Sequence, residues 1–188
     1  KLADKAACIV LGLPDCTEPA VPEHENAPAR SGVFLTALPD DPMFVDITEQ
    51  NGTFYMQREW CRTELVKEED GGYRIGSLDE KIYFTDKEIL YRLPARVLTL
   101  TPAKPADPAL FREGIYYNDE TDSFMKLVKV ENTCEIHMRR HGKTTLYQSA
   151  SGSIIFRMDA NLVMYVKAEN DTIIMDGGRV KHIIYQKQ

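Results

Sequence analysis

MFVDITEQNGTFYMQ, residues 43–57, decides how the rest of the chain reads. Two runs rich in β-branched and aromatic residues flank Asn51-Gly52, and apolar positions recur with period two on both sides, which is the pattern of a strand with one buried face. Asn-Gly readily takes the positive φ values that a two-residue hairpin turn requires, so the stretch predicts strand, turn, strand. The device recurs in TELVKEEDGGYRIG (63–76), KIYFTDKEILYRL (81–93) and TIIMDGGRVKHIIYQ (172–186). Turn signals at intervals of about eight to twelve residues from Ser31 onward predict antiparallel β-structure. Helical periodicity is never sustained beyond about two turns, although residues 2–10 and 108–112 suit short helices.

The chain also repeats itself. RSGVF (30–34) matches REGIY (112–116) at a displacement of 82, which also pairs Met56 with Met138, Arg58 with Arg140 and Thr63 with Thr145. A displacement of 81 then pairs Leu65 with Leu146, Gly71 with Gly152, Ile75 with Phe156 and Phe84 with Tyr165. Ordered matches at a fixed period are the mark of duplication. The expected fold is therefore all-β and antiparallel, with two tandem repeats of about eight short strands each. Residues 1–29 form an N-terminal segment and linker, 30–103 the first repeat, 104–111 a Pro-rich joint within LPARVLTLTPAKPADPAL, and 112–188 the second repeat. Eight antiparallel strands suffice to close a small barrel. Two separate barrels and one continuous twisted sheet both fit the pattern.

The second repeat has a Gly-x-Tyr entry at 114–116, a long first hairpin, and a strand pair closing on Gly177-Gly178. In this order it resembles the small lipocalin-like (calycin-type) β-domains of bacterial exported proteins. The resemblance covers about 75 residues, implies fold, and carries no catalytic residue to this chain.

Composition narrows the function classes. A formal charge of -6 and a pI near 5.3 argue against nucleic acid or an anionic membrane surface as the main partner. The longest apolar run, residues 6–10, is far short of the roughly 20 that a spanning helix needs. Cys8 and Cys16 bracket a turn signal made by Gly12, Pro14 and Asp15, so a disulfide between them is expected. A second bridge, between Cys61 and Cys134, would pin the repeats together. TEPAVPEHENAPAR (17–30) resembles a spacer that holds a folded unit away from an anchored end. These features point to the periplasm, the cell surface or secretion, with a possible membrane tether upstream.

The densest chemistry lies in IHMRRHGKT, residues 136–144. Strand alternation through residue 140 would place His137, Arg139 and His141 on one face, but four extended residues separate the two histidines by roughly 13 Å, too far to share a metal ion. Arg139, Arg140, His141 and Lys143 around Gly142 suit an anion or an acidic protein surface better. The same charges would also protect a bare hairpin end from edge pairing. NDETD (118–122) spaces oxygens as a calcium loop does, yet lacks the glycine and distal glutamate of an EF-hand. Cys61, with Arg62 beside it, is a candidate activated thiol without an evident base, and His137 is the other candidate for an enzymatic role. Asn51-Gly-Thr53 and Asn170-Asp-Thr172 are glycosylation sequons. No nucleophile elbow, metalloprotease helix or phosphate loop is present. The expected function is an exported, non-catalytic β-protein without a cofactor, binding a small ligand or a partner in a barrel cavity or inter-repeat cleft. The alternative is a protein-binding inhibitor or immunity-type factor that uses the basic tip at 139–143.

Overall fold

A computed structural model describes residues 20–36, 43–57, 61–159, 162–177 and 180–188. Cys8 and Cys16, and the short helix expected at 2–10, lie outside the described residues. The first unit contains β1 (Gly32–Thr36), β2 (Phe44–Gln50), β3 (Thr53–Gln57), β4 (Arg62–Lys67), β5 (Tyr73–Ile75), β6 (Lys81–Phe84), β7 (Ile89–Leu93) and β8 (Arg96–Pro102). These strands follow one another around the sheet, and β8 pairs back onto β1 to close a barrel. The deciding hairpin forms as its sequence requires: Asn51 and Gly52 have φ of 53° and 79°, and Gln50 sits opposite Thr53. Alternate residues, including Phe34, Val45, Ile47 and Leu100, point inward and are buried. Full burial of each such side chain is worth about 1.5–3 kcal/mol, so the filled interior is the main stabilising element.

The joint is itself structured, with a short strand β9 (Lys104–Pro105) and a 3-10 turn at Pro108–Leu110. The second unit follows with β10 (Gly114–Asn118), β11 (Ser123–Val130), β12 (Thr133–Met138), β13 (Gly142–Thr145), β14 (Tyr147–Gln148), β15 (Ile154–Asp159), β16 (Leu162–Glu169), β17 (Thr172–Gly177) and β18 (Val180–Lys187). Its sheet runs β13-β12-β11-β10-β18-β17-β16-β15-β14-β9, a nearly closed barrel. β13 and β14 are two halves of one bent strand around Leu146, whose N–H donates to Cys134 and whose carbonyl accepts from Ala106, both at 2.9 Å. The repeats therefore form two barrels, not one sheet.

Ladder register refines the repeat. Phe34 and Tyr116, Leu65 and Leu146, and Ile75 and Phe156 occupy equivalent buried positions, as the displacements of 82 and 81 demand. Two pairings shift. Ile47 lies opposite Met56 and Leu127 opposite Ile136, so the counterpart of Met56 is Ile136 rather than Met138. Phe84 points inward, whereas Tyr165 lies between the inward-facing Met164 and Val166. The connections between strands differ in length in the two units, so one displacement cannot hold throughout.

Both barrels are plugged at the end where they begin. Residues 20–30, expected as a spacer, lie against the first barrel: Ala27 N–H donates to Phe84 O at 2.7 Å, and Ala27 and Ala29 pack on its core. Arg30 donates to the carbonyls of Thr85 and Glu88 at the β6–β7 turn. In the second barrel Asp107 caps the 3-10 turn, Phe111 is buried, and Arg112 reaches Asp171 at the β16–β17 turn at 3.0 Å.

The barrels meet around Arg157. Its guanidinium lies 5.0 Å from the Phe44 ring centre and donates to Gln57 O at 3.2 Å, while Tyr147 packs edge-on against Phe44 at 5.6 Å. Burial pushes the nearby Asp46 carboxyl above its usual range, and Arg157 draws it part of the way back. A carboxyl raised in this way contributes stability below its unfolded pKa and loses it as pH rises through the folded value. Asp46→Asn is therefore expected to gain urea-unfolding stability relative to the wild type as pH rises from about 4 to 7. Parallel pH profiles for the two proteins would show that Asp46 ionises without cost.

Candidate functional site

The unplugged end of the second barrel carries the basic hairpin. β12 stops at Met138, which points inward, and the chain turns through residues 139–141 before Gly142, with φ of 74°, starts β13. The strand expected to run through Arg140 is thus cut short by a tight turn that the left-handed glycine permits. Arg139, Arg140 and His141 stand at the rim of a concavity of about 850 Å³. Met138, Met158 and Phe124 supply its apolar surface, and Thr121, Asp122, Ser123 and Tyr185 complete the wall.

That wall is a connected chain of hydroxyls. Ser123 Oγ lies 3.0 Å from the Tyr185 hydroxyl and 2.6 Å from Thr121 Oγ1. Thr121 in turn donates from both its hydroxyl (2.6 Å) and its N–H (2.7 Å) to Asn118 Oδ1, and the Asn118 amide donates to Ile184 O at 2.7 Å. The Asn118 oxygen considered for calcium is therefore used to shape the β10–β11 turn. Asp122 accepts from the Tyr117 hydroxyl at 2.9 Å, and this bond holds the Tyr117 phenol above its ordinary range. Asp122, the one carboxylate on the wall, keeps its negative charge while bonded to Tyr117, so Arg139 and Arg140 leave a net positive charge beside a hydroxyl wall and the thioethers of Met138 and Met158.

The predicted set divides. Arg139, Arg140 and His141 come together, whereas His137 and Lys143 do not line the concavity. His137 faces outward on β12, with Nε2 2.7 Å from a Glu135 carboxylate oxygen, and sits opposite Lys143 across the ladder. Among the described residues no cluster of three or more His, Cys, Asp or Glu side chains is arranged to hold a metal ion. Cys61 is exposed, with Sγ 3.7 Å from Thr63 Oγ1, and Cys134 is buried in the second core; both are free thiols, so the expected bridge between them is not formed. They belong to different barrels, and each lies within its own strand system. Arg62, considered as an activator of Cys61, instead bonds Gln50 and lies 3.8 Å over the Tyr55 ring. Both sequons fall on hairpin tips, with Asn51 and Asn170 each at φ 53°.

The chain matches no protein-family model and no curated protein. No helix among the described residues is long and apolar enough to cross a membrane.

Sequence reasoning missed Ser123, Met158 and Tyr185, and met Thr121 only as part of the calcium-like NDETD loop. Ser123 closes a stretch that reads as a turn or an incomplete calcium loop, and Met158 and Tyr185 are strand residues whose convergence depends on how the barrel closes. The sequence signal was the concentration of methionine: Met125, Met138, Met158, Met164 and Met175 all belong to the second unit.

The two thiols should separate in alkylation. Burial pushes the Cys134 thiol up, so it is expected to react only on unfolding, while Cys61 reacts promptly in the native protein. Equal native rates, read by peptide mass spectrometry, would contradict this placement of Cys134.

Proposed function

We propose that the protein is an exported, non-catalytic binding module that takes a small ligand with an anionic group and an apolar body at the mouth of the second barrel. The observation that carries this reading is the joint lining of one concavity by Arg139, Arg140 and His141 and by Met138, Met158 and Phe124. The exposed guanidinium groups of Arg139 and Arg140 favour a carboxylate, sulfonate or phosphate. Below them, fully buried Met125, Met164 and Met175 are unbranched and can repack around a ligand body. A probe with this chemistry is 8-anilinonaphthalene-1-sulfonate. Saturable fluorescence enhancement is expected, weakened about tenfold or more in an Arg139→Glu/Arg140→Glu variant and weakened by added salt. Unchanged affinity in that variant would sink the reading.

A second reading is a protein-binding factor that inserts the tip at 139–143 into an acidic cleft. It is favoured by the exposure of Arg139, Arg140, His141 and Lys143 on one turn. Lys143→Glu separates the two, because Lys143 does not line the concavity: it should weaken partner capture and leave the probe unaffected.

Export to the periplasm, cell surface or medium rests on the spacing of Cys8 and Cys16. If these are bridged, the unreduced, unfolded chain presents two titratable thiols of its four. Four titratable thiols in protein purified from its native source would remove that support.

A further inference from the structure

The two repeats treat the same sheet edge differently. In the second barrel, β12 and β13 pair, the bent strand continues as β14, and the edge of β14 that faces away from β15 is covered by β9. Lys104 lies opposite Gln148 and Pro105 opposite Tyr147, and Ala106 donates its N–H to Leu146 O. Ala106 is wholly buried in the core cluster that contains Cys134 and Leu146. Proline fits at the central position because backbone bonds in this ladder are exchanged at the flanking pairs.

The equivalent strand in the first barrel is β4. Over Arg62, Thr63 and Glu64 it pairs with β3, and over Leu65, Val66 and Lys67 it pairs with β5. No described strand covers the other edge of those last three residues. Leu65 corresponds to Leu146, Val66 to Tyr147 and Lys67 to Gln148. Next to the corresponding edge the first barrel has a groove of about 420 Å³, lined by Phe54, Lys67, Gly71, Tyr73 and the plug at residues 26–29, which adjoins the seam at Lys67 and Phe54. The plug does not fill it, because the chain runs to Phe84 and the β6–β7 turn instead. Val66 is left 37% exposed. Lys67, the charged residue of the groove, has no carboxylate partner among the described residues.

We propose that this seam binds an extended peptide of another molecule, added as a strand to Leu65, Val66 and Lys67: an acidic residue beside Lys67, then proline beside Val66, then a small apolar residue in the groove. The chain's own Lys104-Pro105-Ala106 is the template for backbone and spacing. Its Lys104 faces a neutral Gln148, whereas the same position in the first barrel faces Lys67, so the complementary residue there is Asp or Glu. Main-chain pairing supplies the affinity and the charge pair the selectivity, as in other strand-addition sites.

The test uses two synthetic peptides, TPAKPADP (residues 101–108) and its Lys104→Glu form TPAEPADP, titrated into the intact chain with amide NMR as the readout. TPAEPADP is expected to bind saturably, moving the Val66, Lys67 and Gly71 amides, with a two- to fivefold preference over TPAKPADP. Lys67→Glu, an exposed change that leaves the cores intact, should invert that preference. Several results would overturn the proposal: no saturable binding of either peptide at millimolar concentration, shifts confined to the second barrel, or a preference indifferent to Lys67→Glu. A concentration-dependent dimer that protects the same amides would assign the seam to a second copy of this chain, and equally overturn it.

Discussion

Closure of the first barrel depends on a short ladder, in which Phe34, Leu35 and Thr36 of β1 pair with Pro102, Thr101 and Leu100 of β8. Once the ends of an antiparallel sheet meet, no edge is left to solvent there, and every second residue must point into an enclosed space. Phe34 and Leu100 fill that space from the closing strands themselves. Closure therefore creates the core as well as ending the sheet.

It also creates two open ends, which the chain treats unequally. The entry end is sealed in both units by the segment just before the first strand, and an arginine, Arg30 or Arg112, ties that segment to a distant hairpin. The opposite end of the second barrel stays concave, ringed by the tips of the β10–β11 and β12–β13 hairpins. Hairpin tips carry little packing duty and can bear charge at small cost in stability, so the cationic residues collect there. The junction around Arg157 sits one residue from Met158, which lines the concavity, so β15 carries both the contact to the first barrel and part of the site.

Much of the architecture was legible. Asn51-Gly52 and the Gly-containing turns fixed the hairpins, period-two alternation fixed which residues face inward, and the matched RSGVF and REGIY entries gave the duplication. The register between repeats was less legible: Met138 looked equivalent to Met56, yet the ladder gives that place to Ile136. A shift of two residues keeps every side chain on the same face, so alternation alone cannot detect it. The lining of the candidate concavity was half legible. Arg139, Arg140 and His141 announced themselves by charge density, but His137 and Lys143 belonged to the outer face once β12 ended at Met138.

The sequence by itself determined the strand pattern, the turns and the count of repeats, because these follow from local backbone preference, side-chain periodicity and the repeated order of motifs; closure into two barrels rather than one sheet was decided by long-range strand pairing. Only the tertiary structure decided which residues share a site. Tyr185 and Ser123 are far apart in the chain and 3.0 Å apart in the fold, because β18 returns to lie beside β10. It also decided that one β4-type edge is covered by β9 and the other by no described strand, since that depends on the path of the preceding segment across the barrel, which no local periodicity encodes.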